Sequence, residues 1–130
     1  MATAPAFAAT PAVGSGLVPA TADTSLTAPT NATSILSGGA SGTKVEEIVF
    51  QGVGTTVAGV VNLFLYDGTT YNLLDQVLIS ATTSSTTAVA FRALRQYTNL
   101  LVKSGWSLRV TNTVAGNVSL VKVTAFGGDL

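Results

Sequence analysis

The sequence contains no cysteine and no histidine. Without cysteine there is no disulfide framework and no thiolate metal site, and the redox compartment is left open. Without either residue the Ser–His and Cys–His nucleophile systems are absent, as are zinc sites built on His or Cys. Charge is the next shortage. Only 9% of the 130 residues are charged, against about 25% in an ordinary globular domain. Six basic residues balance six acidic ones. No cluster of Lys and Arg would steer the chain to phosphate backbones or anionic lipid, so neither nucleic acid nor a membrane is an expected partner. Long apolar runs are missing too, which excludes a membrane-spanning helix. The N-terminus lacks the basic, then continuously apolar, pattern of a signal peptide. The expectation is a soluble protein that is not exported.

Proline disappears after residue 29: all four fall at positions 5, 11, 19 and 29. Each fixes φ near −65° and biases the preceding residue toward extended backbone. Residues 1–42 are mostly Ala, Thr, Ser, Pro and Gly, with Asp23 the only charged side chain before Lys44. Two readings stay open for this stretch: a disordered tail, or an extended N-terminal arm that orders on a partner. In the second, spaced apolar residues fill shallow pockets, with Phe7, Leu17 and Leu26 the candidate arm contacts. The end of the arm, at Thr24–Thr27 and Ala32–Leu36, is β-branched enough to supply the first strands.

What is present from residue 43 to 130 reads as strands. Lys44–Gln51 alternates, placing Glu46, Ile48 and Phe50 on one face and Val45, Glu47, Val49 and Gln51 on the other. Val57–Tyr66 sets Val61, Leu63 and Leu65 against Val60, Asn62, Phe64 and Tyr66. Asp67-Gly68-Thr69-Thr70 is a hairpin turn, with Tyr71–Ser80 as the returning strand. A Thr/Ser loop at Ala81–Thr86 precedes a strand at Thr87–Leu94. Ala93–Leu101 is the only helical candidate. Ser104-Gly105 turns the chain into Trp106–Val110, and Ala115-Gly116-Asn117 predicts a second hairpin before Val118–Phe126. Seven or eight strands spaced near ten residues predict an all-β antiparallel sandwich, jelly-roll-like, in one domain. Low charge beside 47% hydrophobic residues implies a surface meant to be covered.

Residues able to carry chemistry are few. Glu46 and Glu47 are strand neighbours that point to opposite faces and do not form a carboxylate pair. Asp67 is explained by its turn and Asp75 by solvent exposure. Gly38-Gly39 lacks the Gly-Lys-Ser/Thr ending of a phosphate loop. Asp67-Gly68-Thr69 offers one acid where calcium wants several oxygens. Arg92 and Arg95 read as contacts or solubilising charges. The expectation is no enzyme, no catalytic residues, no cofactor and no metal. Trp106 with Tyr97 and Tyr71 could form a sugar-stacking platform, although a lone Trp after a Gly turn is more often core or interface filler.

The run Gly54-Thr55-Thr56-Val57-Ala58-Gly59-Val60-Val61-Asn62-Leu63-Phe64-Leu65-Tyr66-Asp67-Gly68-Thr69 and the ending Val123-Thr124-Ala125-Phe126-Gly127-Gly128-Asp129-Leu130 carry a resemblance. Across residues 42–130 the chain resembles small virion proteins of tailed bacteriophages, of the capsid decoration or cement type. That resemblance implies a homotrimer on the outer capsid surface, made in the host cytoplasm, with the major capsid protein and itself as partners. It implies no catalytic or ligand residues. Phe64, Tyr66, Tyr71 and Trp106 are the candidate trimer or capsid contacts. Two alternatives remain: a tail or fibre-base component, and a jelly-roll glycan-binding module.

Overall fold

The computed structural model describes residues 10–130. Eight strands form two four-stranded antiparallel sheets: β1 (Thr10–Leu17), β2 (Thr33–Ser37), β3 (Thr43–Gly52), β4 (Gly59–Tyr66), β5 (Tyr71–Ile79), β6 (Arg92–Val102), β7 (Ser107–Asn112) and β8 (Val121–Asp129). One sheet runs β1-β8-β3-β6 and the other β2-β7-β4-β5. The protein is an all-β sandwich. Its pairing is nested: β4 with β5, β3 with β6, β2 with β7 and β1 with β8. Only the innermost pair is joined by a tight turn. Asp67 organises that turn by accepting from the amides of Thr70 at 2.7 Å and Thr69 at 2.9 Å, and Gly68 takes the left-handed φ of 97°. Those two amides hold the Asp67 carboxyl below its usual pKa.

The core lies between the sheets. Val45, Ile48 and Phe50 of β3 and Val121, Val123 and Ala125 of β8 meet Val61 and Leu63 of β4, Val77 and Ile79 of β5 and Leu108 and Val110 of β7. All are at most 1% exposed. The inward faces of β4 and β7 follow the alternation of the sequence. In β3 the alternation breaks. Register slips between Val45 and Glu47 against both β6 and β8, so Glu46 bulges out and Val45 turns inward with Ile48 and Phe50. The predicted grouping of Glu46 with Ile48 and Phe50 is corrected by that one extra residue.

Three further elements differ from the sequence expectation. Ala93–Leu101 is strand β6, not helix; pairing with β3 along its length outweighs the helix-forming Ala-Leu-Arg-Gln run. The strand predicted at Thr87–Leu94 begins only at Arg92, and Val89, 88% exposed, lies in the preceding loop. Ala115–Asn117 is a short 3-10 turn that carries the chain from one sheet to the other, since β7 and β8 do not pair.

The N-terminal region from Thr10 on belongs to the sandwich. β1 pairs with β8 from Thr10↔Asp129 to Leu17↔Lys122, which makes it an edge strand where Pro11 is tolerated. The inward positions of β1 are Ala12, Gly14 and Gly16. A Cβ on Gly14 would run into the Ile35 carbonyl and come within 2.9 Å of the Leu36 side chain, so glycine lets β1 cross close to β2. Ala32–Leu36 is found as β2, shifted to Thr33–Ser37, whereas Thr24–Thr27 is loop. Phe7 lies outside the described residues.

The β1–β2 loop is held by Asp23. Its carboxylate accepts from the amides of Ser25 at 3.0 Å, Thr30 at 2.8 Å and Asn31 at 3.0 Å, while its own amide donates to the Asn112 carbonyl at 2.8 Å. The Ser25 amide above all lowers the Asp23 pKa. A carboxyl whose folded pKa is lowered contributes stability that is present above its unfolded value and lost as pH falls through the folded one. Asp23→Asn is therefore expected to cost about 1 kcal/mol at neutral pH. The gap to the parent, read from urea midpoints, should close as pH falls below about 4.

Candidate interaction surfaces

The two outward sheet faces differ in chemistry. On the β2-β7-β4-β5 sheet, cross-strand register sets Tyr66 beside Ser107 and Tyr71, and Phe64 beside Arg109 and Leu73. The side chains then lock together. The Tyr71 ring meets Phe64 edge-on at 5.6 Å and 85°, and lies 4.3 Å from the Tyr66 ring at a tilt of 35°. Tyr66 is fixed at its far end, its hydroxyl donating to the Gly68 carbonyl at 2.9 Å. The Arg109 guanidinium sits over the Tyr66 ring, 4.3 Å from its centroid. Its Nε donates to Ser107 Oγ at 3.0 Å and its Nη1 to the Tyr71 hydroxyl at 3.2 Å. A planar cation stacked on one tyrosine and hydrogen-bonded to another is held in one orientation, a state favoured at binding hot spots.

Three of the four sequence-predicted contacts thus fall in one cluster: Phe64, Tyr66 and Tyr71. Phe64 is fully buried and packs edge-on against Tyr71. Trp106 stands apart. It is half-buried against the core, on the opposite face of the sheet from the cluster, with Lys103 Nζ 5.4 Å from its ring centroid. A platform joining Trp106 to Tyr71 does not form, because the sheet separates them. Arg109, which ties the cluster together, was not among the sequence candidates. Its only sequence signal is its place as an outward residue between Leu108 and Val110.

The outward face of the β1-β8-β3-β6 sheet carries exposed apolar side chains set among polar and charged ones. Val13 pairs with Phe126, Ser15 with Thr124, Thr124 with Val49 and Val49 with Leu94. Val13, Phe126 and Leu94 are 62%, 41% and 42% exposed. Leu17 lies exposed further along β1, and Leu26 is exposed in the β1–β2 loop. Glu47 and Gln96 complete the row that Val13 and Phe126 begin, and Lys122, Gln51 and Arg92 share a row with Leu17.

The aspartates are spread out and occupied. Asp75 is not a freely solvated residue as predicted: it is half-buried at the open side of the sandwich, accepting from Arg95 Nε at 3.2 Å and the Tyr97 hydroxyl at 3.0 Å. This clip joins edge strand β5 to edge strand β6. Burial, and then the Asp75 carboxylate, push the Tyr97 hydroxyl far above the ordinary tyrosine range. Asp129 accepts from the Thr43 hydroxyl at 2.6 Å, and Thr43 Oγ1 in turn accepts from the Gly39 amide at 2.9 Å. Gly38-Gly39 thereby packs against the C-terminal strand. Arg92 reaches Gln51 at 3.4 Å. Among the described residues no three of His, Cys, Asp or Glu come together as a metal site.

No family model, curated protein or solved structure matches this chain.

Proposed function

We propose that the chain is a structural virion protein that binds and stabilises an assembled phage capsid, acting as a decoration or cement protein on its outer surface. The observation that carries the reading is the exposed apolar pair Val13 and Phe126 on the β1 side of the β1-β8-β3-β6 sheet, with Leu94 exposed on its β6 side. A sheet face of this kind on a chain with 9% charge suits permanent coverage by a protein surface. The resemblance of residues 42–130 to small phage virion proteins supports the same reading. So does the nested strand pairing, which suits a jelly-roll scaffold of the kind common in viral capsids. Coverage by the major capsid protein, or by sister subunits in a trimer, would also protect the free edges of β1 and β6.

Two measurements test this. In purified particles the protein should be present at a ratio near that of the major capsid protein; a few dozen copies would indicate a tail or fibre-base position, and absence would defeat the structural reading. Phe126→Ser should weaken binding to assembled capsids by about 2 kcal/mol, roughly thirtyfold, at temperatures where its urea midpoint shows the variant folded. Unchanged affinity would show that this face is not the one that docks.

A further inference from the structure

The Arg109 side chain is a cation without an anion. Lys44 pairs with Glu46 at 3.9 Å and Arg95 with Asp75 at 3.2 Å, and these are the ion pairs among the described residues. The nine residues before Thr10 contain no acid, so they hold no carboxylate side chain for it either. Arg109 is half-buried between β4 and the hairpin, stacked on Tyr66, and hydrogen-bonded only to two neutral hydroxyls. A guanidinium carries five N–H groups. Two are used here, and three remain at the Nη1 and Nη2 end of the fork.

The neighbouring rung also holds unpartnered polar atoms. Asn62 and Thr111 pair across β4 and β7 on the same face, beside Phe64 and Arg109. Both are fully buried, and neither Asn62 Nδ2 nor Thr111 Oγ1 has a hydrogen-bond partner. The Asn62 oxygen is already taken by Gln76 Nε2 at 2.9 Å. Arg109 and Asn62 thus have N–H donors to spare, while the Thr111 hydroxyl can donate or accept. A partly desolvated cation held in a fixed orientation and left without a countercharge is costly. It becomes favourable when a carboxylate meets the fork with two parallel hydrogen bonds.

We infer that the Arg109–Tyr66–Tyr71 cluster is a carboxylate-binding site, and that it receives an Asp or Glu side chain from a protein partner. Tyr66 and Tyr71 flank the incoming carboxylate and cover its aliphatic stem, while Arg109 supplies the paired hydrogen bonds. The site lies on the opposite sheet from the exposed Val13 and Phe126 and does not depend on the capsid reading. It would make this protein a two-sided connector, with exposed apolar side chains on one sheet and an acid-seeking site on the other.

The test uses the full chain and two probes, acetate and N-acetylglutamate amide, followed by NMR at the side-chain Nε–Hε signals of Arg92, Arg95 and Arg109. The expected result is a saturable shift at Arg109 alone, with a dissociation constant on the order of 10 mM, and none from chloride at the same ionic strength. Arg109→Lys keeps the charge and loses the fork; binding read at the Tyr71 ring protons should weaken about tenfold. Should that variant misfold, Tyr71→Phe removes the hydroxyl that orients Nη1 and should weaken binding about threefold. Equal shifts at all three arginines, an equal response to chloride, or full binding by Arg109→Lys would overturn the inference. So would a saturable response to methyl glucoside with none to acetate, which would make the cluster a sugar-stacking surface.

Discussion

Phe50→Ala should remove about 3–5 kcal/mol of stability, enough to unfold much of the population at physiological temperature. Phe50 is at 0% exposure near the C-terminal end of β3, itself an inner strand of its sheet. Its register partners are Val123 of β8 and the small Ala93 of β6. No large neighbour in the same sheet is therefore free to swing into the space a missing ring would leave. The cost is the lost transfer of the ring from water plus the unfilled cavity. Phe126→Ala is the internal control, because that ring is 41% exposed on the outward face and its loss should cost only about 1–2 kcal/mol. Urea midpoints of the two variants measure the contrast directly. If they fell together, the division of β3 and β8 into core and surface faces would be wrong.

That division was legible in the sequence wherever strands keep strict alternation. In β4 the inward set Val61, Leu63 and Leu65 is the predicted one, and Asp67-Gly68 marks the single tight hairpin. Sequence signals are local, however, and this fold closes mostly through distant pairs such as Thr10 with Asp129. Ala115-Gly116-Asn117 does turn the chain, but nothing local says that the next strand enters the other sheet. β1 looked like a free arm because Pro11, Gly14 and Gly16 weaken strand propensity. It is a strand because an edge accepts proline and the crossing with β2 requires glycine. β6 looked helical because its first residues are good helix formers, and only its partner β3 decides otherwise. The interaction cluster was partly visible: Phe64, Tyr66 and Tyr71 were singled out, but Arg109 enters only through the β4–β7 register, which no spacing along the chain encodes.

Gly127→Ala should cost about 3 kcal/mol or more, although it adds a single methyl group. The reason lies in the Glu46 bulge. Where β3 carries its extra residue, Val45 stays opposite Gly127 and Glu47 moves opposite Phe126. The bend brings the Lys44 carbonyl over Gly127, where an added Cβ would fall well inside contact distance of that oxygen and within 2.9 Å of the Val45 Cα. Both obstacles are backbone, so no rotamer change relieves them. Relief requires β8 to move away from β3, and these are the two inner strands of their sheet. Gly68→Ala separates this steric cost from ordinary glycine strain. Gly68 has φ of 97° but nothing within 4 Å of an added Cβ, so its cost is conformational only, about 1–2 kcal/mol. Thermal or urea unfolding of the pair should therefore place Gly127→Ala clearly below Gly68→Ala. Hydrogen exchange should show the extra loss concentrated in the β3–β8 amides. Equal destabilisation would mean that β8 shifts freely, and the bulge would then not be what fixes glycine at position 127.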